Sequence, residues 1–261
     1  MYQDYLSFAI DLGKEAGEFI KPFAGKAGGE TLKAAKDFVT EMDLKVEALI
    51  IDRITTKYPD HRIFSEEAGA VGGQSDFEWV IDPIDGTINY SMGVPLYGVS
   101  IALTYKNEPV VAVISLPGLN EVYWASKGGG TYKDGERVSV RDASLAESFI
   151  SHSDFAKDGN KDTNVQRLDT LGKIVNDVYR VRIIGTAAVT LSYIAAGRLD
   201  AAIYTNPEYY DVAAGELLIT EAGGIKGGAG PYTIFGQKQA VNGLEHLLGE
   251  IKQGDGSAAS K

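Results

Sequence analysis

Two aspartates three residues apart, Asp82 and Asp85, follow a short apolar run. The run Trp79–Ile81 predicts the end of a buried strand, and Pro83 is expected to stop that strand because proline has no N–H for the ladder. Gly86-Thr87 predicts a helix start or a tight turn, whose N–H groups suit a phosphate. Carboxylate pairs are hard ligands that suit Mg²⁺, and burying them without a cation is costly. The stretch therefore predicts a metal site beside a phosphate site.

A second Asp-Gly pair in the same chain serves as an internal comparison. Asp134-Gly135 lies between short strand-like runs and predicts an ordinary hairpin over Tyr132–Val138. An isolated Asp-Gly is usually a turn and nothing more. The first pair differs because apolar residues lead up to both of its carboxylates.

Composition argues against several classes of function. The 261 residues include no cysteine, which excludes disulfides and thiolate metal sites and is compatible with a cytoplasmic location. The net charge of −11 argues against nucleic acid held by a basic surface, whereas metal ions would supply local positive charge for an anionic substrate. No apolar run has the length of a membrane span, and no signal peptide is evident. Only three histidines, His61, His152 and His246, are available for a zinc site or a histidine triad.

The elements expected before residue 141 are helices around one large, mainly antiparallel sheet. Apolar spacing predicts an amphipathic helix over residues 2–23. Thr40 with Asp43 three residues later predicts the N-cap of a second helix that reaches Lys57. A short strand over residues 61–65 is expected to end at Glu66. Strand-like runs after the aspartates predict a meander over 99–105, 110–115, 121–125, 131–133 and 138–140.

From about residue 141 strands and helices alternate, which is typical of an α/β arrangement. The expected strands cover 149–153, 178–184 and 199–204, and the expected helices cover 163–175, 185–196, 211–222 and 244–251. Asp211 falls in a first helical turn, where it could be only a cap, and residues 253–261 have the composition of a frayed tail. We predict an N-terminal α+β lobe over 1–140, which carries the aspartates, and a C-terminal α/β lobe over 141–261, which completes the site.

Several of these motifs together resemble the lithium-sensitive, Mg²⁺-dependent phosphatases of the inositol monophosphatase superfamily. The matching segments are, in order, residues 37–43, 66–67, 82–87, 185–188, 211–215 and 221–224. Each segment is weak alone, but together they cover nearly the whole chain in the family's order and spacing. The resemblance implies the layered αβαβα sandwich of the sugar-phosphatase superfamily, a small phosphorylated substrate and a homodimer.

The resemblance also implies two to three Mg²⁺ ions per subunit. The first would be held by Glu66, Asp82 and the backbone carbonyl of Ile84, and the second by Asp82, Asp85 and Asp211. A third, weaker ion would rest on Glu66 with water. Such ions lower the pKa of bound water and neutralise charge on the attacking and leaving oxygens. In-line attack on phosphorus then needs no Ser, Cys or His nucleophile.

The catalytic and substrate contacts come from the same resemblance. The implied catalytic residues are Asp43, Thr87 and Glu66, of which the first two would orient the attacking water. Backbone N–H groups of Gly86 and Thr87 would hold the phosphate. The implied substrate-binding residues are Asp85, Gly86, Thr87, Gly185, Thr186, Ala187, Tyr204 and Asp211.

Two departures from the family pattern bear on the substrate. Tyr210 stands where the family usually has Trp, so an aromatic platform is kept, and Tyr204 stands where inositol-specific members carry an acidic residue. Inositol-1-phosphate is therefore not uniquely indicated, and fructose 1,6-bisphosphate, histidinol phosphate or 3′-phosphoadenosine 5′-phosphate stay open. The loop lysine of the family corresponds to Lys33 or Lys36.

Two other functions compete with this one. A haloacid-dehalogenase-type phosphatase uses the first aspartate of an Asp-x-Asp motif as a nucleophile, but here two residues separate Asp82 from Asp85. A regulatory or partner-binding protein on the same fold would be expected to have lost a metal ligand, and every expected acid is present.

Overall fold

The computed structural model describes residues 2–26, 31–34, 37–156 and 160–249. The helices in these ranges are α1 (Gln3–Ile20), α2 (Glu41–Lys57), α3 (Thr87–Ser91), α4 (Lys161–Ile174), α5 (Ala187–Ala195), α6 (Tyr209–Glu221) and α7 (Lys238–Gly249), with short 3₁₀ helices at Lys21–Phe23 and Leu145–Glu147. The tail predicted over 253–261 lies outside the described residues.

The strands of the first half of the chain are β1 (Thr31–Ala34), β2 (Asp37–Val39), β3 (Arg62–Ser65), β4 (Gly69–Gly72), β5 (Phe77–Asp85), β6 (Gly98–Tyr105), β7 (Glu108–Leu116), β8 (Glu121–Ser126), β9 (Gly130–Lys133) and β10 (Glu136–Val138). Those of the second half are β11 (Phe149–His152), β12 (Arg180–Arg182), β13 (Ala201–Thr205), β14 (Ile225–Ala229) and β15 (Tyr232–Gly236).

The elements stack as alternating layers of helix and sheet. Helices α1 and α2 pack on one face of an eight-stranded sheet, and α5 and α6 pack on its other face. Helices α5 and α6 also contact a five-stranded sheet, and α4 and α7 cover the other face of that sheet. This is the αβαβα sandwich that the resemblance implied, and the expectation is confirmed.

The large sheet has the strand order β10-β9-β8-β7-β6-β5-β3-β4. All of its neighbouring strands are antiparallel except β3 and β5, so the predicted antiparallel meander is confirmed. The hairpin of β9 and β10 is also confirmed. Its turn places Asp134 at φ 50° and Gly135 at φ 94°, the left-handed pair that a two-residue hairpin requires.

The prediction that Pro83 ends its strand is wrong. Strand β5 continues to Asp85, and its pairing with β6 is irregular between Asp82, opposite Ser100, and Asp85, opposite Gly98. The proline therefore lies at a bulge, where the regular ladder does not require its missing N–H. As a consequence both aspartates stand on one interior strand of the large sheet.

The small sheet has the strand order β12-β11-β13-β15-β14 and is parallel only where β11 pairs with its two neighbours. The sequence did not predict the hairpin of β14 and β15, because Gly227-Gly228 interrupts the apolar alternation. The last helix was also predicted to begin at Leu244, whereas α7 begins at Lys238. Within the described ranges no helix is long and apolar enough to cross a membrane.

Candidate active site

Four elements deliver the predicted acidic residues to one place. Helix α2 carries Asp43 in its first turn, Glu66 follows β3, Asp82 and Asp85 stand on β5, and Asp211 lies in the first turn of α6. Burial raises the pKa of Asp82 well above its usual value. The negative charges of Glu66, Asp85 and Asp211 raise it further. Acids that are distant in sequence are therefore electrostatic neighbours in the fold.

Asp82 is the most constrained member of this cluster. It is 2% exposed, and its Oδ1 is buried without a hydrogen-bond donor among the residues that the structure describes. The neighbouring Glu66 is one of the groups that raise the pKa of Asp82 beyond the effect of burial. A buried carboxylate oxygen with no donor is unfavourable by several kcal/mol or more. A divalent cation fits this donor set, since it binds such oxygens and stabilises their charged form.

The carboxylates are neighbours and not an assembled coordination sphere. In the described ranges, no three His, Cys, Asp or Glu side chains form a group that could hold a metal ion as they stand.

Asp85 ties the large sheet to the helix layer between the sheets. Its Oδ2 accepts hydrogen bonds from the Thr186 hydroxyl at 2.8 Å and from the backbone N–H of Ala188. Thr186 is the N-cap of α5, and its hydroxyl oxygen also accepts from the N–H of Val189 at 3.3 Å. The predicted pocket residue Thr186 therefore has a second task that the sequence did not reveal, which is to hold Asp85.

Asp43 and Thr87 belong to one chain of hydrogen bonds. Thr40 and Asp43 form the predicted capping box, in which one aspartate oxygen accepts from both the N–H and the hydroxyl of Thr40. The other oxygen lies 3.4 Å from the Thr87 hydroxyl, which is 3.0 Å from the carbonyl of Ile84. Burial raises the pKa of Asp43 and the charge of Glu66 adds to this rise, whereas the Thr40 hydrogen bonds lower it.

The turn between β5 and α3 requires its glycine. Gly86 has φ 86°, and a Cβ at this position would lie 3.1 Å from the carbonyl oxygen of Leu96. Three residues later, the Asn89 amide donates to that carbonyl at 2.8 Å and to the carbonyl of Ile184 at 3.1 Å. Asn89 thus brings the predicted pocket residue Gly185 next to the turn, a contact that no short-range pattern revealed.

Tyr204 and Tyr210, the two departures from the family pattern, lie near the acidic residues of the site. Burial raises the pKa of Tyr210, and the charges of Glu66 and Asp211 raise it further. Burial also raises the pKa of Tyr204, followed by the charge of Asp85. The Tyr204 hydroxyl lies near Thr190, but it is buried without a well-formed hydrogen bond in the described part of the chain.

Two sets of residues complete the comparison with the predicted site. Lys36 and the side chain of Lys33 lie outside the described residues, so the choice between these lysines stays a prediction. Glu47 was not predicted, yet it is a buried acid one turn after the capping aspartate of α2. Its spacing of four residues from Asp43 places both acids on one face of the helix, but this spacing alone does not indicate burial.

Comparisons with known proteins show the family of the chain and its fold. The model of the inositol monophosphatase family matches residues 1–239. A fructose-1,6-bisphosphatase/inositol-1-monophosphatase of Aquifex aeolicus is 33% identical over 92% of this chain and 89% of its own length. The Nus factor SuhB of Escherichia coli K12 is 38% identical over 84% of this chain and 83% of its own length. The solved structure of an IMPase from Thermotoga maritima superposes with a TM-score of 0.85 at 30% identity, covering 95% of this chain and 98% of that one.

Proposed function

The chain belongs to the inositol monophosphatase family, and from this membership we propose that it hydrolyses small phosphomonoesters with Mg²⁺ and a water nucleophile. The observation that carries the proposal is the buried Oδ1 of Asp82, which no donor in the described part of the chain satisfies. Three further carboxylates act on the same group. Oxygen donors of this kind suit a divalent cation.

The metal would be held by Glu66, Asp82, Asp85 and Asp211, together with the carbonyl of Ile84. When bound, Mg²⁺ would lower the pKa of water and neutralise charge on the attacking and leaving oxygens. Asp82 would serve two ions, which explains why it is the most buried of the four. Asp85 would join this set from a side chain that the Thr186 hydroxyl and the Ala188 N–H hold in place.

Asp43 and Thr87 would orient the attacking water. Asp43 uses one oxygen to cap α2 and directs the other toward the Thr87 hydroxyl. A hydroxyl that donates to a fixed acceptor keeps lone pairs that can accept from water, so this pair defines a direction for the nucleophile. The N–H groups of Gly86 and Thr87 would hold the phosphate. In-line transfer of this kind depends on positioning and electrostatics.

The leaving group would lie against Gly185, Thr186, Ala187 and Tyr204. We propose that this pocket accepts several phosphomonoesters, because the phenol of Tyr204 binds a substrate hydroxyl less strongly than a carboxylate would. The Aquifex aeolicus relative, whose name includes two phosphatase activities, supports this breadth.

A phosphate-release screen tests the proposal. The substrates are inositol-1-phosphate, fructose 1,6-bisphosphate, histidinol phosphate and 3′-phosphoadenosine 5′-phosphate, each with Mg²⁺, with excess chelator, and with Mg²⁺ plus Li⁺. We expect release that requires Mg²⁺ and is inhibited by Li⁺. Release that survives chelation, or a phosphoaspartate trapped on Asp82, would favour the haloacid-dehalogenase-type mechanism instead.

A partner-binding role alongside catalysis is the second candidate. The Escherichia coli relative is named a Nus factor, and α3 with the turn after it exposes three apolar side chains beside the candidate site, those of Ile88, Met92 and Val94. Met92 is 76% exposed.

We further propose a cytoplasmic homodimer that uses this surface. Light scattering of the purified chain is expected to give the mass of a dimer and, for Met92→Asp, that of a monomer; a monomeric native chain would contradict the dimer.

A further inference from the structure

A buried glutamate on α2 lies outside the proposed metal set. Glu47 is 4% exposed, and a single oxygen of its carboxylate, Oε1, accepts three hydrogen bonds. The donors are the hydroxyl of Ser65, the N–H of Glu67 at 3.0 Å and the N–H of Ala68 at 3.1 Å. These donors lie on both sides of Glu66, so the turn that carries this proposed metal ligand is wrapped around one atom of α2.

The backbone of Glu66 is also tied to the central strand. Its N–H donates to the carbonyl of Ile81 at 3.2 Å, and Ile81 directly precedes Asp82. Strands β3 and β5 run parallel here, with Ser65 opposite Ile81. The turn is therefore anchored to β5 on one side and to Glu47 on the other.

We infer that Glu47 is a positioning residue, which holds the turn of residues 65–68 so that the carboxylate of Glu66 faces Asp82. The inference rests on the proposed metal-dependent function. A charged acceptor suits this task because hydrogen bonds to a carboxylate are about twice as strong as those between neutral groups. Groups that orient a metal ligand in this way typically change metal affinity by about 10–100-fold when they are replaced.

The chain offers a matched control at a distant turn. Glu221, at the end of α6, accepts hydrogen bonds from the N–H groups of Gly128 at 2.8 Å and Gly130 at 2.9 Å, in the turn after β8. It holds a backbone turn with the same chemistry as Glu47, but that turn carries no member of the acidic cluster. Glu47 is buried and Glu221 is half-buried, so the control matches the hydrogen-bonding role and not the degree of burial. A purely structural contribution of a carboxylate that holds a turn should therefore appear in both variants.

The experiment compares Glu47→Gln and Glu221→Gln in the full chain without substrate. Mn²⁺ alone is titrated and followed by the loss of its free electron paramagnetic resonance signal, while hydrogen exchange reports the amides of Glu67 and Ala68. We expect Glu47→Gln to weaken Mn²⁺ binding about tenfold or more and to deprotect both amides. Glu221→Gln is expected to leave Mn²⁺ affinity as it is in the native chain.

Unchanged Mn²⁺ affinity in a folded Glu47→Gln, despite faster exchange at these amides, would overturn the inference. If Glu47→Gln does not fold, Ser65→Ala removes only one of the three donors and is expected to weaken Mn²⁺ binding less, by about threefold, a fraction of the effect of losing the whole group. Native affinity in Ser65→Ala would equally overturn it. Failure of the proposed function looks different, since the native chain itself would then bind no Mn²⁺.

Discussion

Strand β5 buries a polar group near each of its ends. The group near the start has a hydrogen-bond partner, and one oxygen of the group near the other end has none among the described residues. Near the start, Trp79 donates its indole N–H to Nδ1 of His61 at 3.1 Å. The imidazole is itself stacked between the rings of Tyr58 and Phe77, at 4.8 and 5.0 Å. At the other end, Asp82 is equally buried, and its Oδ1 has no donor within the described ranges.

The difference shows how one rigid strand can serve stability and chemistry at the same time. At the aromatic end, the buried indole N–H of Trp79 has its acceptor within the chain itself, on His61. Under the proposed function, a bound cation would satisfy the buried oxygen at the acidic end. Strand β5, which keeps the acids in place, is therefore stabilised by the aromatic cluster around Trp79 and His61 and not by the acids themselves.

Removing the aromatic end should have the largest effect on folding. Trp79→Ala is expected to destabilise the chain by about 3–5 kcal/mol, because it leaves a large cavity in the core and His61 without its donor. Urea unfolding measures the loss. The Mg²⁺ concentration for half-maximal activity of the remaining folded protein should not change, and a parallel rise in that concentration would show that the two ends are not separable.

Removing one charge from the acidic end should affect activity and not folding. Asp82→Asn keeps the shape of the side chain but is expected to lower the rate at least 10²–10³-fold, about 2.7–4 kcal/mol, as when one preorganised charged group is lost. Chelated, metal-free Asp82→Asn should unfold at the same temperature as the native chain or higher, because a buried charge is gone. Asp134→Asn in the surface hairpin is the control, and near-normal turnover by a folded Asp82→Asn would refute the metal assignment.

Changing the pocket next to the acids should have a smaller effect. We expect the native chain to favour inositol-1-phosphate by no more than roughly tenfold over linear phosphomonoesters, about 1.4 kcal/mol in transition-state binding. Tyr204→Glu, assayed at saturating Mg²⁺, should shift the ratio of kcat/KM values toward inositol-1-phosphate. A native preference of several orders of magnitude would mean that Tyr204 does not determine specificity.

The smallest expected effect is the pH dependence of the stability that His61 contributes at the aromatic end. Burial lowers the pKa of His61, and the charge of Asp60 opposes this only in part. Such a group contributes stability that is present above its unfolded pKa of about 6.5 and is lost as the pH falls through that value toward the folded pKa. His61→Gln should therefore lower the unfolding temperature at pH 7.5. Between pH 7 and 5.5, the unfolding temperature of this variant should fall less steeply than that of the native chain. His246→Gln, on the exposed face of α7, should keep the native slope.

Local patterns predicted the parts of the site that depend on neighbours in sequence. The spacing of Thr40 and Asp43 predicted the capping box, and the glycine at 86 predicted the helix start after β5, because both motifs lie within one turn of chain. The layered fold was also accessible, since helical and strand periodicities were clear over most of the chain.

Contacts between distant residues could not be predicted in this way. The sequence contains no sign that Asp85 caps α5 or that Glu47 holds the turn after β3, since a glutamate in an amphipathic helix usually faces water. The continuation of β5 through Pro83 depends on its pairing with β6, which is a tertiary property. The roles of the acids in metal binding stay predictions until a metal is titrated.

The helix layer between the two sheets has a consequence for synthesis of the chain on the ribosome. Val80, Ala102 and Ile114 lie on the face of the large sheet that α5 and α6 cover. The strands bearing these side chains leave the ribosome first, and at ~5–20 residues per second the two helices follow only on the order of ten seconds later. During that interval the nascent chain carries a bare apolar surface, which is a target for chaperones and for aggregation. A stall in translation between residues 140 and 187 would prolong this exposure, so the cell's yield of folded protein depends on how evenly this part of the message is translated.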